Sequence, residues 1–117
     1  MLWRLILLDG LDDEPAPWED GAAGVSVVAV ADEPHEWACG VRCVELERGE
    51  ALGFDFGRRV KPAWHMAGVS YPLTLVSLTD DGAEVGRLTM EPCSAHERDC
   101  PRYSLLPSRW FVEVRDP

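Results

Sequence analysis

Apolar residues along this chain fall in short, strand-length runs separated by turn-forming residues, with no internal repeat. Leu2 to Leu8 fits a first strand, interrupted by Arg4 and ended by Asp9. Asp9 to Gly24 combines Asp-Asp-Glu-Pro, Pro17 and Gly-Ala-Ala-Gly, the mixture of charge and breakers expected of an exposed, mobile connection. Val25 to Val30 is a β-branched run of strand length. Asp32 then stands where a helix cap would, with Glu33, Pro34 and Glu36 in the first turn, and the pattern predicts a helix to about Leu46. Gly40 in its middle costs about 1 kcal/mol relative to alanine.

From Ala51 onward the period changes to two. Leu52, Phe54 and Phe56 alternate with Gly53 and Asp55, as in a half-buried strand. Tyr71 to Leu78 and Ala83 to Met90 flank Thr79-Asp80-Asp81-Gly82, whose Asp and Gly suit a tight turn, so the two runs should pair as an antiparallel hairpin. Arg109 to Arg115 reads as a last strand, with Trp110, Val112 and Val114 on one face and Phe111 and Glu113 on the other. Glu91 to Ser108 is a long polar loop. The expected fold is mainly β: an antiparallel β-sandwich of jelly-roll character, or an open barrel, with one short α-helix.

Length sets the organisation. With 117 residues, 46% of them hydrophobic and five of them Trp, the chain can build one core, and a single domain over 1–117 is expected, with 1–24 as strand and acidic loop and 25–115 as the body. Charge narrows the partners. There are 21 acidic and 11 basic residues, for a net charge of -10. Residues 1–36 carry nine acids against one base, while residues 37–117 carry twelve against ten, so the body is close to neutral. Without a basic stripe, neither nucleic acid nor a membrane surface is expected as a partner; the acidic loop could instead aid solubility or dock a basic protein. The N-terminus lacks the pattern of a secretory signal and no run reaches the length of a membrane span, so a cytoplasmic location is expected, with Cys39, Cys43, Cys93 and Cys100 as thiols.

Several ordered pieces together carry a family likeness. Val25 to Asp32 forms an opening strand with an Ala-Asp step into a helix, and Glu36 to Val41 follows. Leu52-Gly-Phe54-Asp-Phe56 makes a strand, and Trp64-His65-Met66 precedes Pro72-Leu73. Met90-Glu91-Pro92-Cys93, Cys100-Pro101 with Tyr103, and Trp110 to Val114 close the pattern. This arrangement resembles the domain of unknown function 192 family, also called uncharacterised protein family 0127. The resemblance implies a jelly-roll-like β-sandwich with one helix and no established activity. It also implies that Cys93 and Cys100 lie close together. The chain departs from the family where a polar Lys-Asn-Thr is replaced by Ala67, Gly68 and Val69, and where an Asp after Pro-Leu is Thr74.

Candidate chemistry is sparse. No nucleophile elbow, phosphate-binding glycine loop, dinucleotide fingerprint or His-Glu-x-x-His motif occurs, and no cofactor is expected. Trp64, His65 and Met66, with Glu91, Tyr103 and Glu113, are the candidate ligand-binding residues: an aromatic wall with polar tips. The competing reading makes Trp64 and Met66 core, Glu91 a loop-bonding residue, and Glu113 either solvent-facing or part of a pocket with Tyr103. Cys93 and Cys100 are either a disulfide or an adjacent reduced pair. His35, Cys39 and Cys43 recur at intervals of four and would line one helix face, a partial zinc set that His65 or His96 could complete; small core cysteines are the plainer reading. The leading expectation is a non-enzymatic module that binds a small ligand or a protein partner. The alternatives are a hydrolase or transferase using His65 with Glu91 or Glu113, and a zinc-binding module.

Overall fold

The computed structural model describes residues 16–18 and 26–116. The expected first strand, Leu2 to Leu8, and most of the acidic loop lie outside the described residues. Among the described residues five strands form one mixed sheet: β1 Ser26–Ala31, β2 Glu50–Val60, β3 Leu73–Leu78, β4 Glu84–Met90 and β5 Ser108–Val114, with the helix α1, Pro34–Cys39, between β1 and β2. Their order across the sheet is β1-β2-β5-β3-β4. The mainly β composition with one short helix is as expected from the pattern, as are the β3–β4 hairpin and β5. The second sheet that a sandwich needs is not among the described strands.

One pairing corrects the antiparallel expectation. β1 runs parallel to β2, whereas β2–β5, β5–β3 and β3–β4 are antiparallel. Parallel neighbours need a crossover instead of a tight turn, and α1 with the turn that follows it supplies one. The sheet is buried on both faces around its centre. Leu52, Phe54, Leu73, Leu75 and Phe111 belong to the core on the α1 side, together with Trp64, Met66 and Met90. Ala51, Val76, Trp110, Val112 and Val114 belong to the opposite core, together with Trp18. The two sets alternate along each strand, as the pleat requires.

The helix is shorter than expected and begins one residue later. Glu33, not Asp32, is its cap; the carboxylate of Glu36 turns back to accept the backbone N–H groups of Asp32 and Glu33 at 3.0 and 3.2 Å. Pro34 occupies the first turn, where a missing N–H costs nothing. Gly40 takes φ 53°, a conformation hostile to most side chains, and ends the helix; a 3-10 turn over Gly40–Arg42 follows. Trp37 fastens α1 to the sheet, its indole N–H donating to the carbonyls of Ala31 and Asp55, both at 3.2 Å.

Trp18 corrects the expectation of an exposed loop at its own position. It is only 4% exposed, packed on the far face of the sheet over Gly53 and edge-on to Trp110.

Candidate functional site

The site grows out of strand alternation. In β5, Phe111 and Glu113 share the face beneath α1, and in register Glu113 lies between Leu52 of β2 and Leu75 of β3. A carboxyl is thereby set among aliphatic side chains, and it is 5% exposed. Among the described residues no hydrogen bond or ion pair engages it. Burial pushes its pKa up to about 8, because the charged form has lost water and gained nothing in return. Around pH 7 it is therefore mainly a neutral acid, able both to donate and to accept a hydrogen bond.

Over Glu113 passes the crossover from β1 to β2. The position a side chain at Gly40 would occupy is 3.7 Å from Glu113 Oε1, so the backbone runs close above the carboxyl. Between crossover and sheet is a concavity of about 150 Å³, lined by Trp37, Gly40, Arg42, Phe54, Trp64, His65 and Glu113, with small residues between them. That volume matches a cavity able to hold a benzene-sized molecule.

Trp64 and His65 reach this concavity from a segment that is not a regular strand. Trp64 exchanges backbone hydrogen bonds with Tyr103 at 2.8 and 2.9 Å, and Gly68 donates to the Cys93 carbonyl at 3.0 Å. The loop between β4 and β5, closed on itself by a Cys93–Cys100 disulfide, thus frames the segment. Trp64 is 7% exposed, stands perpendicular to Phe54 with ring centroids 4.8 Å apart, and its buried indole N–H has no partner among the described residues. His65 Nδ1 accepts the Ala67 N–H at 3.2 Å, which leaves the proton of the neutral ring on Nε2, 3.5 Å from Glu97. Partial burial, the larger effect, lowers its pKa, and the nearby Arg102 and Arg42 act the same way against the opposing pull of Glu97. Arg42 has its guanidinium turned to the carbonyls of Ala38 and Cys39 at 2.8 and 3.4 Å.

The candidate residues therefore divide. Trp64, His65 and Glu113 converge on one concavity. Met66 is wholly buried core. Tyr103 frames the site: its hydroxyl accepts the Glu91 N–H at 3.3 Å, while the Glu91 side chain is on the exposed surface, outside the concavity. His65 and Glu113 share the concavity without a hydrogen bond between them.

Of the two readings of Cys93 and Cys100, the structure has the disulfide, against the general expectation of thiols. Cys93 is joined to Cys100, with a Cα separation of 6.0 Å that suits a bridge, and the sulfurs of Cys39 and Cys43 lie against each other, with a Cα separation of 5.7 Å. The thiol expectation rested on compartment, which says nothing about whether two Cβ atoms face one another. The proposed zinc face is not assembled: His35 is exposed, and no group of three or more potential ligands occurs among the described residues. Gly40 turns the chain out of the helix that would have aligned the three.

No family model matches the chain, and no curated protein matches it. Among solved structures, this fold is similar to that of a protein from Sinorhizobium meliloti 1021 described as a "putative transcription regulator", with a TM-score of 0.65 and 18% identity over 79% of this chain and 69% of the other. At that identity the likeness concerns the fold. Among the described residues, no helix is long and apolar enough to cross a membrane.

Trp37, Gly40 and Arg42 are site residues that the sequence pattern did not single out. Gly40 carried a usable signal. A glycine that costs helix stability is retained where the backbone must come close to something or turn sharply, and here it does both.

Proposed function

We propose that this protein is a non-enzymatic binding module for a small ligand held between the crossover and the sheet. One observation carries the reading: the Glu113 carboxyl is buried without a partner among the described residues and faces a concavity walled by aromatic rings. Burying an unpaired polar group costs free energy, and a ligand that satisfies it offsets that cost. We also propose that the chain is a divergent member of the domain of unknown function 192 family, whose resembling pieces supply Phe54, Trp64, His65 and Glu113. The test is a thermal-melt screen against pooled small metabolites, with Ala63→Trp as the control that blocks the rim. A saturable rise in Tm, lost in Ala63→Trp, is expected; no shift from any pool would sink the reading.

The convergence of His65 and Glu113 favours a second reading, a hydrolase or transferase in which one gives and the other takes a proton. Turnover of ester or phosphoester pools, abolished by both His65→Ala and Glu113→Gln, would establish it. Absence of turnover in the presence of binding leaves the module reading in place.

A further inference from the structure

We infer that the concavity takes a small organic cation, an alkylammonium or methylated ammonium group, seated against Glu113 and among the rings of Trp37, Phe54 and Trp64. This rests on the reading of the concavity as a ligand site and adds the chemical class.

Three observations point the same way. The first is the carboxyl itself: its register neighbours Leu52 and Leu75 offer no positive charge, and among the described residues no basic side chain is paired with it. The second is the wall. Phe54 and Trp64 meet at 87° and, with Trp37, line the same concavity as the acid. Ring faces are negative and attract cations, most strongly in desolvated sites. The third is the state of the remaining polar groups. His65 is held towards neutrality by burial, and the Arg42 guanidinium is on the exposed side, occupied with the carbonyls of Ala38 and Cys39. Neither neutralises Glu113 from within.

Other classes fit less well. An anion would meet ring faces and a carboxyl that could not ionise beside it. A metal ion would find one carboxylate, and no group of three or more potential ligands is gathered by the described residues. At about 150 Å³ the space suits a cation of roughly benzene size.

Binding is then a proton exchange. The neutral acid releases its proton to solvent as the ammonium arrives, and the product is a carboxylate–ammonium pair. With the carboxyl near pKa 8, ammonium affinity should rise about tenfold per pH unit below that value and level off above it. The charged or titratable groups lining the concavity with Glu113 are His65 and Arg42; burial lowers the pKa of His65, away from that of Glu113.

The test uses three probes of one shape: tert-butylammonium, tert-butanol and pivalate, titrated calorimetrically into the intact protein in two buffers of different ionisation enthalpy. At pH 6.5 the ammonium should bind at least about tenfold more tightly than the alcohol and release about one proton per site. Glu113→Gln should erase that preference while alcohol binding persists. Should that variant not fold, proton release and the pH dependence of the wild type decide. Tighter binding of alcohol or pivalate, or ammonium binding without proton release, would overturn the cation assignment while leaving a ligand site. Binding by none of the three would remove the small-ligand reading with it.

Discussion

The indole of Trp18 stands edge-on to that of Trp110, with ring centroids 5.4 Å apart and planes at 87°. It is there because position 53 is glycine: an added Cβ would fall 2.7 Å from Trp18 Cζ2. The stretch around Trp18 is acidic and rich in turn formers, yet this one side chain docks on the sheet. Trp18→Ala should destabilise the fold by about 3–5 kcal/mol. Gly53→Ala, by displacing the ring, should cost about 1–3 kcal/mol and shift Trp fluorescence to longer wavelength. Urea unfolding of both variants checks this, and wild-type stability in either would show that Trp18 contributes nothing.

Stability should depend on pH through Glu113. Its folded pKa of about 8 lies above the ordinary value of 4.5, so between these values the folded chain holds a proton that the unfolded chain gives up. The contribution is whole below about pH 4.5 and is lost as pH rises through about 8, by at most about 1.4 kcal/mol per unit. Glu113→Gln should remove this slope and be the more stable protein at pH 8. Subtracting the two stability–pH curves isolates the effect from the many surface carboxylates.

The Cys93–Cys100 bridge closes a loop with a sequence separation of 7. Replacing both residues by serine should cost about 2–3 kcal/mol by chain-entropy reasoning. Because that loop frames Trp64 through Tyr103 and Gly68 through Cys93, ligand affinity should fall as well. Calorimetry on the double variant under conditions where it remains folded tests the second part.

Ser77 sits inside β3 with a wholly buried hydroxyl that has no partner among the described residues. Ser77→Ala should stabilise the protein by up to about 1 kcal/mol. A loss of stability would mean that the hydroxyl is engaged in solution.

Local pattern was enough for much of the fold. Alternation in Trp110 to Glu113 placed Glu113 opposite its tryptophan and valine neighbours, and Thr79 to Gly82 marked the hairpin. What covers a strand face is decided by segments far away in the chain, so the same pattern left Glu113 between solvent and pocket. The direction of β1 was hidden for a related reason: it depends on the path from Asp32 to Gly49, not on any property of Val27 to Ala31 themselves. The interval of four linking His35, Cys39 and Cys43 assumed a helix that Gly40 interrupts. Met66 and Trp64 look alike as apolar positions in one short segment, and only tertiary packing makes one core and the other part of a wall.

The parallel run of β1 beside β2 has a consequence for how this protein can change. An antiparallel neighbour could have been joined by a two-residue turn, leaving the Glu113 face uncovered by this segment. The return path instead contributes Trp37 through Arg42 to the lining as one continuous stretch, while the sheet contributes the carboxyl. The crossover thus shapes one wall of the concavity while the sheet supplies the acid that selects the ligand's charge. Exchanging the exposed lining residue Arg42 should retune what the concavity accepts while the strand register stays as it is.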